Sequence, residues 1–377
     1  MKDVIVFGLS NSIGGVENYL INMQEQVEDR VRFIFFIEDS QNMYAERIAA
    51  HHGEVVFIPR QNGLLEYLKL MYHKLREYRI RTNVLYLNIS NYSHELFATF
   101  QMAKKLQYQI IVHSHGAMLQ PIKSAFHRGT HKIVKQMCLK CVDRYFRIAV
   151  SQRAGRFMYG NKTFNVLYPG IDMKRYCFNQ EIREEIRNKY DCKDRFVVGF
   201  VGRMVEVKNP GFAIRVFSEA CKMVGKEHLM FLMIGDGPIL EEAKQQAKSL
   251  CIEKEVCFLG ASDQVQRFLQ AMDCFIGTSL SEGMPLGMME AQAAGLPCVC
   301  AEGRYPHELA VTDKFHMLPL EAGENAWAET IIELMKEQKY NREKWLQDHE
   351  TDLAVFDQQY TANKLYEYIM KLEDTTS

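Results

Sequence analysis

Glu282 and Glu290 stand eight positions apart in the segment Glu282-Gly283-Met284-Pro285-Leu286-Gly287-Met288-Met289-Glu290. A short apolar run, Asp273-Cys274-Phe275-Ile276-Gly277, precedes it, and a stretch rich in Met, Glu and Ala, Gly287 to Ala294, follows. The first reads as a strand and the second as a helix. The Gly and Pro between them force a tight loop. A loop that opens into a helix presents unpaired N–H groups at the positive end of the helix dipole, which favours an anion such as a phosphate. With one carboxylate in the loop and the other inside the helix, the pair can reach hydroxyls at two ends of one ligand. A nucleotide sugar, a diphosphate flanked by two polyols, has that chemistry.

Five further segments carry related signals. Phe200-Val201-Gly202-Arg203, followed by Lys208-Asn209-Pro210, places two cations after a strand. That is the edge of a parallel sheet where ligands bind, and Arg can hold a phosphate with two hydrogen bonds while Lys acts as a point charge. Ile234-Gly235-Asp236-Gly237-Pro238 and Val256-Cys257-Phe258-Leu259-Gly260 are two more strand-turn units, Gly14-Gly15-Val16-Glu17 follows the first strand, and His113-Ser114-His115-Gly116 closes another.

Taken in order, these segments resemble the retaining GT-B glycosyltransferases of family 4 (glycosyltransferase group 1), and are similar to bacterial exopolysaccharide and capsule enzymes. The resemblance spans nearly the whole chain. It implies that Arg203 and Lys208 grip the donor diphosphate, with Gly14, Gly15, Gly235, Leu259, Gly283, Met284, Pro285, Leu286 and Gly287 lining the donor site. It implies that Glu282 binds a sugar hydroxyl beside the reacting carbon, that Glu290 binds the ribose, and that His115 touches the donor sugar or the acceptor. Glu282, His115, Arg203 and Lys208 form the implied catalytic set, with no metal and no cofactor beyond the donor. The implied reaction moves a hexose, UDP-hexose being the favoured donor, to a hydroxyl of a glycan or lipid-linked glycan with retention at the anomeric carbon. The loop Gly303 to His307 would close over the donor.

Each signal has an ordinary alternative. Glu282 could be a solvated loop carboxylate, and Arg203 and Lys208 plain surface cations. Gly14 and Gly15, with Glu38 and Asp39 after the second strand, invite a dinucleotide reading, but Gly8-Leu9-Ser10-Asn11-Ser12-Ile13-Gly14-Gly15 fits neither of the two phosphate-loop patterns. His113 and His115 alternate along a strand and so share one side, yet no third metal ligand is evident nearby. Cys138 and Cys141 lack the second pair a zinc ribbon needs and read as thiols on a buried helix face. Between Lys123 and Arg156 nine cations stand against one acid, Asp143. They are interleaved with Phe126, Ile133, Val134, Met137 and Leu139, so a solvated helix face and a peripheral contact with anionic lipid both fit. A sugar-nucleotide epimerase of the same architecture and an inactive partner subunit are the two other functional classes.

Positioning these residues requires parallel sheets. The chain has 377 residues, 47% hydrophobic and 25% charged, enough for two domain-sized cores. A net charge of −1 supplies no field for nucleic acid. Ten scattered cysteines fit a reducing cytoplasm, and no run reaches the ~18 apolar residues of a membrane span. Short Val/Ile/Phe runs alternate with amphipathic stretches in two series, the pattern of doubly wound α/β domains. The first series comprises 3–8, 31–37, 55–58, 84–89, 109–113, 147–151 and 165–168. The second comprises 196–202, 229–234, 256–259, 273–277 and 297–300. The expected organisation is an acceptor-binding Rossmann-like domain over 1–170, a nucleotide-sugar domain over 171–355, and a helix within 356–377 that the resemblance returns to the first domain.

Overall fold

The computed structural model describes residues 1–12, 14–60, 63–116, 125–337 and 341–374; for 125–131 and 373–374 only the backbone is described. The chain divides into two compact units, Met1–Gly170 with Gln358–Ser377, and Ile171–Asp357. Each is an open parallel sheet covered by helices.

In the first unit the described strands are β1 (Lys2–Phe7), β2 (Val31–Ile37), β3 (Glu54–Phe57), β4 (Val84–Ile89), β5 (Gln109–Ser114), β6 (Phe146–Ala149) and β7 (Asn165–Val166), in the order β3-β2-β1-β4-β5-β6-β7. In the second they are β8 (Phe196–Val201), β9 (Leu229–Ile234), β10 (Val256–Phe258), β11 (Cys274–Gly277), β12 (Cys298–Ala301) and β13 (Phe315–Leu318), in the order β10-β9-β8-β11-β12-β13. The central strands are continuous apolar runs because helices bury both faces of a parallel sheet. Strand order reverses beside the first strand of each unit, between β1 and β4 and between β8 and β11, and there the loops at the carboxyl ends diverge to leave a crevice.

The first core joins Val4, Phe33, Phe35 and Tyr86 of the sheet to Tyr19, Leu20 and Met23 of the helix Gly15–Val27. The helix Gln358–Asp374 belongs to this unit and adds Ala362, Leu365 and Ile369 to the same core. In the second unit Phe217 lies 5.1 Å from Phe231, and Phe212 meets the Trp327 ring edge-on at 5.4 Å. Asp273, which precedes β11, accepts from Arg183 at 2.5 Å, Arg187 at 3.0 Å and the Val197 N–H at 2.7 Å. That carboxylate ties the helix Gln180–Lys189 to the sheet. β13 was absent from the expected strands; it is an edge strand, paired to β12 on one side only.

Candidate active site

At the carboxyl edge of the second sheet, the turn after β8 is fixed from below. Gly202 N–H donates to the Ile234 carbonyl at 2.9 Å and Gly235 N–H to the Gly260 carbonyl at 2.7 Å. Gly235 has φ +141°, and a Cβ there would stand 1.9 Å from the Gly202 carbonyl oxygen. Only glycine lets the loops after β8 and β9 approach so closely. Arg203 follows in the turn with its side chain exposed. Lys208 ends the 3-10 turn Glu206–Lys208, after which Asn209 takes a left-handed conformation, φ 53°, and Pro210 starts the next helix. Thr278, just past β11, donates to the Lys208 and Asn209 carbonyls at 3.1 and 2.9 Å, which locks this turn to the sheet edge.

Glu282 lies in the loop between β11 and the helix Leu286–Ala293, its side chain 11% exposed. Lys208 Nζ donates to Glu282 Oε1 at 2.5 Å and Ser279 Oγ donates to the same oxygen at 2.6 Å. Tyr305 OH donates to Ser279 Oγ at 3.1 Å. A buried Tyr305-Ser279 pair thus holds the carboxylate from behind while the ammonium faces it. Gly283, Met284 and Pro285 complete the loop; Leu286 and Gly287 open the helix, with no side chain capping it. The helix's free N–H groups are therefore available to an anion. Leu259, after β10, is held by its N–H on the Met233 carbonyl at 2.9 Å.

Glu290, one turn into that helix, accepts from Tyr176 OH at 2.9 Å. Burial raises its carboxyl above the ordinary value, outweighing the opposing hydrogen bond. Tyr176, Ser279 and Thr278 were not among the sequence-derived site residues, and Tyr305 fell only inside the loop expected to close over the donor. None carries a charge; Tyr176, Thr278 and Tyr305 act through partners distant in the chain, and Ser279, three residues before Glu282, has no sequence signature of its own.

Gly14, Gly15, and His115 lie in the first unit. Gly14 precedes the helix Gly15–Val27 and Gly15 begins it, while Glu17 in its first turn is buried and accepts from Ser10 Oγ at 2.5 Å. His113 and His115 rings lie 4.2 Å apart. His113 is fully buried in a chain of hydrogen bonds, its Nδ1 2.6 Å from Tyr86 OH, which in turn lies 2.8 Å from Tyr19 OH. Burial, reinforced by His115, pushes its pKa well down. His115 pKa is pushed down to about 3 by burial, so the ring is neutral. Asn88 Nδ2 donates to the Phe7 carbonyl at 3.2 Å, which leaves its Oδ1 to accept from His115 Nε2 at 2.9 Å. The other nitrogen, Nδ1, is then an acceptor for a hydroxyl. No cluster of three or more metal-binding side chains occurs among the described residues.

Cys138 is buried and Cys141 partly so, both as free thiols. In the basic segment, Lys123 lies outside the described residues and the Arg128 side chain is not described. Further along the helix Ala125–Val142, Lys132 and Lys140 are exposed beside Ile133 and Met137. Asp143 pairs with Lys162 at 2.5 Å.

The comparisons with known proteins bear on the same residues. Residues 182–348 match the family model of the glycosyl transferases group 1, a span holding Arg203, Lys208, Glu282 and Glu290. EpsF of Bacillus subtilis, named as a glycosyltransferase, is 25% identical over 332 residues, 84% of each chain. The chain is a glycosyltransferase. An Escherichia coli UDP-Gal:alpha-D-GlcNAc-diphosphoundecaprenol alpha-1,3-galactosyltransferase is 25% identical to this glycosyltransferase over 261 residues, 64% of this chain and 65% of that one. Among solved structures, Anabaena HepE in complex with UDP superposes with a TM-score of 0.80 at 18% identity, covering 98% of this chain and all of that one. The fold is GT-B.

Proposed function

We propose that the enzyme transfers a hexose from UDP-hexose, with retention at the anomeric carbon, to a hydroxyl of a glycan or lipid-linked glycan in surface polysaccharide synthesis. The observation that carries this reading is the Lys208–Glu282 contact at 2.5 Å beside the exposed Arg203, at the mouth of the second sheet. Cations there would stabilise negative charge growing on the departing diphosphate, assisted by the N–H groups of Leu286 and Gly287. Glu282 would accept a hydroxyl of the transferred sugar and offset positive charge at the anomeric carbon, and Glu290 would accept from the ribose. Neutral His115 would accept from a hydroxyl. These side chains would do the work without a divalent ion. The UDP and UDP-glucose complexes of HepE and the diphosphoundecaprenol acceptor in the E. coli relative's name support the choice of donor and acceptor class.

The test is a hydrolysis screen over nucleotide sugars, read by released nucleotide, with and without EDTA, followed by NMR assignment of the product anomer. UDP-hexose should be hydrolysed in both conditions, with retained configuration after transfer. An inverted product, or activity abolished by EDTA and restored by Mg²⁺ or Mn²⁺, would overturn the mechanism.

The exposed Lys132, Ile133, Met137 and Lys140 support a second, compatible proposal, a peripheral contact with anionic lipid. Each such cation contributes on the order of 1 kcal/mol. No helix among the described residues is long and apolar enough to cross a membrane. The protein should sediment with phosphatidylserine vesicles at low salt, and Lys132→Glu with Lys140→Glu should release it; sedimentation unchanged by the substitutions would refute the contact.

A further inference from the structure

The crevice of the first unit has the same topological position as that of the second, but its carboxylates outnumber its cations. A cavity of about 520 Å³ opens where β1, β2 and β4 end. Its apolar floor includes Phe36 and Leu87, and its polar wall includes Glu38, Asp39, Arg60, Asn88 and Glu95. Three carboxylates thus face one guanidinium, a formal charge of 1 − 3 = −2.

That guanidinium is already engaged. Arg60 Nη1 lies 3.2 Å from Glu38 Oε2 and Nη2 lies 2.5 Å from Glu95 Oε1. Its plane sits 5.1 Å from the Tyr67 ring centroid, and Tyr67 OH donates to Glu38 Oε1 at 2.8 Å. Arg60 therefore has two carboxylates to satisfy before any ligand arrives, while Asp39 makes no ion pair among the described residues. An anionic ligand would meet net negative charge with no spare cation. A polyol would meet carboxylate and amide acceptors at one wall and an apolar floor beneath its ring, in a cavity of ligand-binding size.

We propose that this cavity binds a neutral sugar unit of the acceptor and rejects a uronic acid, with Asp39 and Glu95 as the residues that set that choice. Its role as an acceptor subsite rests on the transfer reaction proposed above; its sugar preference can be measured without a donor.

The experiment uses the full chain and saturation-transfer NMR with methyl β-glucoside, methyl β-N-acetylglucosaminide and methyl β-glucuronide as probes. The neutral glycosides should compete for one site, with the glucuronide at least about tenfold weaker, as expected for one unfavourable charge a few ångströms away. Glu95→Gln removes a negative charge and frees one side of Arg60, and should bring that ratio to about threefold or less. Asp39→Asn should move it in the same direction and, having no ion-pair partner to lose, decides the matter if Glu95→Gln lowers the melting temperature. Equal binding of glucuronide and glucoside by the unaltered protein, no saturable neutral glycoside, or an unmoved ratio in Asp39→Asn would each overturn the proposal. Donor hydrolysis measured on the same samples separates the readings: discrimination between glycosides without hydrolysis of any nucleotide sugar sinks the transfer reaction and keeps the pocket, and the reverse outcome keeps the reaction alone.

Discussion

Charge at the second unit's mouth depends on few side chains, and each has a different expected signature. Arg203 is exposed and Lys208 rests on Glu282, so neither supports the core. Arg203→Ala and Lys208→Ala should each cost about 3 kcal/mol of transition-state stabilisation, a hundredfold or more in kcat/KM, with melting temperatures nearly unchanged. Near-normal rates in the folded double variant would remove both from the mechanism. The two glutamates should separate. Glu282→Gln should depress turnover and keep affinity for UDP, which lacks the sugar, whereas Glu290→Gln should weaken UDP binding in calorimetry. Glu290 also carries a stability signature. Because burial raises its folded pKa above the ordinary 4.5, its contribution to stability is fully present below that value and is lost as pH rises through the folded pKa. Glu290→Gln should therefore melt higher than the unaltered protein at pH 7, and the difference should close towards pH 4.

Elements bring these residues together through contacts between loops rather than through helix or strand propensity. β2, β4 and β9 fall on the expected Val31–Ile37, Val84–Ile89 and Leu229–Ile234, because central strands of a parallel sheet are uninterrupted apolar runs. Phe315–Leu318 escaped because an edge strand is only half covered, and its four residues are all of intermediate burial. The Gly and Pro around Glu282 made that loop legible, while Tyr305 and Ser279, 26 positions apart, are joined only by the fold. Gly235 tests the loop packing. Alanine there would bring a Cβ to 1.9 Å of the Gly202 carbonyl at a positive φ, so the loops after β8 and β9 must separate. Several kcal/mol should be lost. Gly303→Ala also has a positive φ, +68°, but open space around it, and should cost only about 1–2 kcal/mol. Chemical denaturation of the two variants should rank them in that order; equal losses would mean that φ alone, and not the close approach, sets the cost.

At the scale of the whole molecule, the first unit is discontinuous in sequence: its final helix, Gln358–Asp374, is supplied after the entire second unit. The helix does more than cap a surface. Ala362, Leu365 and Ile369 are fully buried in the core with Tyr19, Phe33 and Tyr86, Thr361 Oγ1 donates to the Tyr168 carbonyl at 3.0 Å, and Arg30 lies 4.9 Å from the Tyr366 ring centroid. Burying one large aliphatic side chain contributes about 2 kcal/mol, so the helix supplies roughly 5 kcal/mol before hydrogen bonds are counted. That is of the order of the whole stability of an ordinary domain, about 5–15 kcal/mol. A chain ending at Asp357 should therefore lose the first unit selectively. In hydrogen exchange, amides of β1, β2 and β4 should lose protection, whereas those of β8, β9 and β11, whose core lies wholly within 171–357, should keep it. Retained UDP binding alongside abolished transfer should accompany that pattern, because the donor-side residues Arg203, Lys208 and Glu290 all belong to the surviving unit. Full protection of β1 and β4 in the shortened chain would show that the helix only covers a core able to stand without it.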